Sequence, residues 1–310
     1  MISEAELIVD RRRLKRRVTF WRILAVVLAI ATVAALLWSQ GWTGGDQIAR
    51  VRIDGLITGD QKTMDLLKRV EREDGVKAVI LRIDSPGGTT AGSEAVYDAV
   101  RQIAAKKPVV AVMDTVAASG GYITALAADH IVARGNTITG SIGVIFSMPE
   151  FSKLLATVGV NMEELRSGDL KAEPSPYKPM SEKARAASME LVMDGFAWFK
   201  GLVAERRNLP MPTVDVLSDG RVYTGRQAVA NKLIDALGDE GTAVAWLEKD
   251  KGVATRLPVR DWKPESESAG LGLGFSAADV ILKSLGLKGF QEAAQRAQLD
   301  GLLVLWHPAQ

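Results

Sequence analysis

The chain has 310 residues, of which 47% are hydrophobic and 25% charged, and a formal net charge of +2. This suits one large or two modest globular domains and excludes a disordered, fibrous or polycationic nucleic-acid-binding chain. It contains no cysteine, which excludes disulfides, a thiolate nucleophile and Cys-based metal sites. Only His130 and His307 could serve a Ser-His-Asp triad or a His-rich metal site.

The N-terminal residues 1–17 form a basic tail ending in Arg11-Arg-Arg-Leu-Lys-Arg-Arg17. No charged residue occurs from Ile23 to Gly45, and Phe20, Trp21, Trp38 and Trp42 sit at the two edges of the apolar stretch. A membrane-spanning helix needs roughly 20 apolar residues, so residues 18–42 are expected to span a bilayer with Arg22 snorkelling to one surface. With the basic cluster before the span, the tail is expected in the cytoplasm and the remaining chain outside it. The expected location is the cytoplasmic (inner) membrane, single-pass, in contact with lipid. A cleaved signal peptide is the competing reading, but the apolar stretch is long for one.

After a linker at 41–46, residues 47–250 read as an α/β domain. Gln47–Ile53 reads as a strand, Ala78–Ile83 as a buried strand and Val109–Met113 as a short apolar run of strand length, and 60–73 and 92–105 read as helices between them. Strands alternating with helices predict βαβ units and a mostly parallel sheet. Ile131–Ala133 and Val144–Phe146 are expected as short strands, with a tight turn at 139–143. A short helix at 151–159, a strand at 162–166 and an irregular proline-rich loop at 167–179 follow. Ser181 is an N-cap candidate for a long helix to Arg207, whose Met189, Val192, Met193, Phe196, Phe199 and Val203 read as core. Short elements are expected at 214–217, 226–230, 234–237 and 242–249. Residues 251–310 read as a linker and helical tail, with helices at 277–287 and 290–298 and an apolar segment at 302–306.

The chemistry centres on Ala117-Ala-Ser-Gly-Gly-Tyr122, which follows the Val109–Met113 strand. A serine at a strand-to-helix junction, followed by two glycines, suits an activated nucleophile beside backbone amides; a plain serine N-cap is the structural alternative. Two further glycine turns, Ser85-Pro-Gly-Gly88 and Gly140-Ser-Ile-Gly143, also lie after or between strands, where ligands of open parallel sheets sit. Neither matches a dinucleotide or phosphate-binding motif. The amides of Gly87 and Gly120 could form an oxyanion hole. His130 begins a strand leading away from this turn, so a lysine is the better base, once desolvation lowers its pKa. Of Lys153, Lys171, Lys178 and Lys183, Lys171 stands out for its irregular setting after Ser167-Gly-Asp-Leu.

Six stretches together resemble signal peptide peptidase A, a family of membrane-anchored serine–lysine peptidases with a Clp-protease/crotonase-like fold. They are Arg52-Ile-Asp-Gly-Leu-Ile57, Leu81-Arg-Ile-Asp-Ser-Pro-Gly-Gly88, Ala117-Ala-Ser-Gly-Gly-Tyr122, Thr139-Gly-Ser-Ile-Gly-Val144, Arg166-Ser-Gly-Asp-Leu-Lys171 and Asp219-Gly-Arg-Val-Tyr-Thr-Gly-Arg226. Each is weak alone; their order and spacing carry the resemblance. It implies a βαβ superhelix with a parallel sheet, preceded by one transmembrane helix. It implies Ser119 as nucleophile, Lys171 as general base, Ser141 as the hydroxyl orienting that lysine, and Gly87 with Gly120 as oxyanion donors. No cofactor or metal is implied. Substrates would be signal-peptide remnants and other small apolar peptides, cleaved by a homo-oligomer in which serine and lysine come from adjacent subunits. Lys171-Ala-Glu-Pro174 departs from the smaller, glycine-rich continuation expected in that family.

Two other readings compete. One is a catalytically inactive, membrane-tethered scaffold of the same fold. The other is a crotonase-type enzyme acting on an acyl-thioester, for which Asp84 or Asp114 would have to supply acid–base chemistry.

Overall fold

The computed structural model describes the backbone of residues 4–39, 45–264 and 302–305, and the side chains of 16–33 and 45–264. The chain divides into two compact units, Met1–Gly45 and Asp46–Gln310. The first contains a single helix, α1 (Glu4–Ser39). Among the described residues no helix is long and apolar enough to cross a membrane; the expected span at 18–42 runs past the residues whose side chains are described. The helices expected at 277–287 and 290–298 also lie outside the described residues.

The second unit begins as the apolar pattern predicts. In chain order come β1 (Gln47–Ile57), α2 (Gln61–Arg72), β2 (Val76–Thr89), α3 (Thr90–Ala104), β3 (Val109–Ala118), α4 (Gly120–Leu126) and β4 (His130–Ala133). The four strands pair in parallel, β1 with β2, β2 with β3 and β3 with β4. Their side chains alternate between two cores. Val79, Leu81, Ile83, Ala111 and Met113 join the helices of one face, while Ile80, Val110 and Val112 pack with Ala243 and Leu247 on the other. Burial on both faces explains why 78–81 of β2 and 109–113 of β3 read as unbroken apolar runs.

Side-chain caps set the starts of α2 and α3. Asp60 accepts from the Thr63 amide to open α2, and Thr89 accepts from the Gly92 amide to open α3. Beyond β4 lie β5 (Ile138–Gly140), β6 (Ile145–Phe146), α5 (Ser152–Thr157), α6 (Glu182–Arg207), α7 (Met211–Leu217), β7 (Val222–Thr224), α8 (Gly225–Ala230), β8 (Ala236–Leu237), α9 (Glu240–Asp250), β9 (Val259–Trp262) and β10 (Leu302–Leu305). Ser181 caps α6 by accepting from the Ala184 amide, as the sequence suggests. β9 pairs in parallel with β1, so the sheet continues past residue 250.

Several expectations change. Residues 162–166 are not a strand. The turn expected at 84–88 continues β2, because Leu56 and Ile57 of β1 keep pairing with Gly87 and Gly88. Part of the turn expected at 139–143 is β5, which pairs with both β3 and β7. The apolar positions of α6 are only partly core. Phe199 and Val203 are buried, whereas Met189 and Met193 are about half exposed, because the first half of the helix extends beyond the sheet's cover in one chain.

Candidate active site

β3 delivers Ser119 to the beginning of α4 with a φ of 55°, a left-handed conformation that a non-glycine residue adopts at a cost of about 1–3 kcal/mol. The strained turn is held from two sides: the Ser119 amide donates to the Gly140 carbonyl (2.8 Å), and its carbonyl accepts from the Ile123 amide (2.9 Å). Ser119 is 1% exposed, and among the described residues its Oγ has no hydrogen-bond partner. A buried, unpartnered hydroxyl on a strained turn is costly for stability alone and points to a functional role.

The neighbouring turn is built alike. Ala118 lies opposite Gly140 in the parallel β3–β5 pair, so Ser119 and Ser141 are the next residues of adjacent strands. Ser141 also has a left-handed φ, 50°, is buried, and donates its amide to the Arg221 carbonyl (2.9 Å). Gly120 follows Ser119 directly. At Gly121 only glycine fits, since a Cβ there would lie 2.7 Å from the Ser85 carbonyl oxygen. That close approach brings the β2 turn against the serine turn.

Gly87 stands at this turn with a φ of 119°. Its amide donates to Ser85 Oγ (3.1 Å), while Ser85 Oγ donates to the Gly55 carbonyl (2.6 Å). The buried Ser85 thus ties the β1 end to the glycine turn. Sequence reading missed it; a serine immediately before Pro-Gly-Gly was its only signal.

Lys171 is exposed, in a turn closed by its amide donating to the Gly168 carbonyl (3.0 Å), and makes no hydrogen bond to Ser119 Oγ. The structure therefore brings Ser119, Gly120, Ser141 and the Gly87 turn together within one chain, and does not bring Lys171 to them. Ala172, directly after the lysine, has a φ of 59°, the place where a glycine would have been easiest. The ends of this loop are fastened by an ionic cluster that the sequence did not disclose. Glu173 pairs with Arg166 and Lys178, and Arg166 also pairs with Glu164. The Glu173 side chain is 3% exposed, and Lys178 foremost, with Arg166, holds its carboxyl below the usual range.

The remaining candidates are structural. His130 pairs with Val110 near the start of β3, about 30 Å along the strand from Ser119 at about 3.3 Å per residue. Its ring stacks on Trp246 with centroids 4.6 Å apart, and burial lowers its pKa. Asp84 accepts from the Val116 amide (3.1 Å) and Asp114 is paired with Arg82 (2.5 Å), so both carboxylates serve the β2–β3 frame. Among the described residues no group of three or more His, Asp or Glu could hold a metal ion.

Comparison with known proteins agrees with this geometry. The Peptidase family S49 profile matches residues 101–254, and a Clp protease profile matches residues 57–137. A putative protease of Synechocystis is 37% identical over 68% of this chain and 76% of its own length. One from Methanocaldococcus jannaschii is 30% identical over 83% and 88%. A putative signal peptide peptidase SppA of Enterococcus faecium is 37% identical over 71% and 68%. A mostly parallel α/β sheet of the Clp-protease kind, carrying a strained and buried serine between glycine turns, thus accompanies substantial identity to known peptidases; the chain belongs to peptidase family S49 and is a serine peptidase, a hydrolase.

Proposed function

We propose that this peptidase works through a Ser119–Lys171 dyad completed between copies of the chain, and that it acts at a membrane on apolar peptides such as signal-peptide remnants. The observation that carries the reading is Ser119 Oγ, buried and without a partner among the described residues, on a strained turn. Ser119 Oγ attacks the peptide carbonyl, and a neutral Lys171 amine takes its proton. The Gly120 amide, joined by Gly87 if its hydrogen bond to Ser85 is exchanged, stabilises the oxyanion. Such a donor contributes about 3–4 kcal/mol in a transition state. Lys171 then protonates the departing amine, and water releases the acyl-enzyme with Lys171 as base again. Ser141 positions the amine.

Lys171 makes no hydrogen bond to Ser119 Oγ within its own chain, which favours a base supplied by a neighbour. Exposed apolar side chains between residues 145 and 193 support such an association: Ile145, Phe151, Leu154, Leu165 and Met193 are all exposed, Leu165 at 97%. The membrane setting rests on α1, where Phe20, Trp21, Ile23 and Ile30 are exposed next to a basic tail. The substrate class rests on that setting and on the similarity to the Enterococcus protein.

The deciding experiment mixes Ser119→Ala with Lys171→Ala protein under conditions that exchange subunits. Each alone should be inactive on a short apolar ester, and the mixture should regain a substantial part of wild-type activity. Full activity of Ser119→Ala alone would refute the nucleophile, and no recovery on mixing would refute the shared dyad.

A further inference from the structure

Ser141 follows β5, a strand of three residues that is held along both edges. On one side β5 runs parallel to β3, and the Gly140 carbonyl accepts from the Ser119 amide (2.8 Å). On the other side it runs antiparallel to β7, with Gly140 opposite Val222, and the Arg221 carbonyl accepts from the Ser141 amide (2.9 Å). Tyr223 seats β7: its ring fills the place where a Cβ at Gly140 would lie, 2.6 Å from Cδ2, and its hydroxyl donates to the Leu217 carbonyl (3.1 Å).

Arg221 is itself fixed from Asp219. One carboxylate oxygen of Asp219 accepts from the Arg221 amide (3.1 Å), and the other pairs with its guanidinium (2.5 Å). Between them Gly220 has a φ of 85°. A carboxylate bonded to the amide two residues on fixes the course of the turn, and with it the direction of the next carbonyl. A line of main-chain contacts thus runs from Asp219 through Arg221 to Ser141, and through Gly140 to Ser119.

We propose that Asp219 is a positioning residue for the reaction: through the Arg221 backbone it holds the Ser141 turn in the conformation that presents the Ser141 hydroxyl to the base. This rests on the reading of Ser141 as the hydroxyl that orients Lys171. Ser141 keeps its left-handed φ of 50° only while its neighbours enforce it. On the β7 side the enforcing group is the Arg221 carbonyl. Without the carboxylate, Gly220 is free to swing that carbonyl away, because glycine has many backbone conformations open to it. The Asp219 side chain is 43% exposed, so replacing it opens no cavity in the core.

The test compares the full chain with Asp219→Ala and Asp219→Asn. Asparagine keeps an oxygen that can accept from the Arg221 amide, and alanine does not. Asp219→Ala is expected to lower kcat on a short apolar ester by about tenfold to a hundredfold, as displacing a catalytic group by roughly 1 Å does, with KM unchanged. Asp219→Asn is expected to restore most of that loss. Wild-type kcat in Asp219→Ala, or an equal loss in both variants, would overturn the proposal. The second measurement, hydrogen exchange of the Ser141 amide, needs no turnover. It should be several-fold faster in Asp219→Ala than in wild type, while the Ala111 amide in the middle of β3 exchanges as before. Equal Ser141 exchange would overturn the positioning whatever Ser141 does in catalysis. Full activity of Ser141→Ala would instead overturn the role of Ser141, so the two readings fail separately.

Discussion

Ser119, Ser141 and Ala172 all hold left-handed backbone conformations without being glycine. Strain of this kind persists only where the surroundings enforce it, and here the first two stand on the adjoining serine turns and the third follows Lys171. The ionic cluster around Glu173 is what fastens that last turn. With Arg166 and Lys178 on one carboxylate, Glu173 closes the loop that presents Lys171. Under the proposed dyad, Glu173→Gln should lower kcat while leaving KM nearly unchanged, because Lys171 shifts and the cleft does not. The cluster also sets an acid limit. A carboxyl whose folded pKa is lowered contributes above its unfolded pKa and loses that contribution as pH falls through the lower, folded value. The acidic fall in wild-type kcat should therefore contain a step that Glu173→Gln removes. An identical pH profile in the two proteins would count against the clamp.

Among the elements, α6 divides into a buried half and an exposed half. Its C-terminal half packs Phe199, Leu202 and Val203 into the core, and Asn208 in a left-handed conformation ends it. Its N-terminal half leaves Met189 and Met193 about half exposed. Phe199→Ala should cost about 3–5 kcal/mol of stability, read as a lower denaturation midpoint. Met189→Glu with Met193→Glu should change stability by no more than about 0.5 kcal/mol each, as surface substitutions do. Under the shared-dyad proposal the same pair should lower the assembly's mass in light scattering and abolish activity. An active, unchanged assembly would separate this face from the subunit contact.

For the whole molecule, the division at Gly45 matters most. If α1 anchors the chain, full-length protein should remain in membrane pellets after alkaline carbonate washing, and a protease added outside the cytoplasm should reach the catalytic domain. A chain starting at residue 46 should be released into the soluble fraction. Full-length protein freed by the carbonate wash would remove the anchor from the proposed function.

Much of this protein is written locally. The βαβ alternation, the caps at Asp60, Thr89 and Ser181, and the serine between glycine turns all follow from side-chain period, hydrogen-bonding groups and backbone freedom within a few residues. The serine turn was legible for that reason. Long-range pairing was not, because strand partners distant in sequence share no local signal. Only the tertiary structure set β9 beside β1 and β10 beside Gly87. The same holds for the Arg166–Glu173–Lys178 clamp, which depends on where the loop folds back. It holds too for the exposed half of α6, since helical periodicity marks an apolar face but does not say whether its own chain covers it. The serine and its turn follow from a few neighbouring residues, whereas what surrounds them follows from the folded chain, because burial and strand pairing are properties of the assembled sheet.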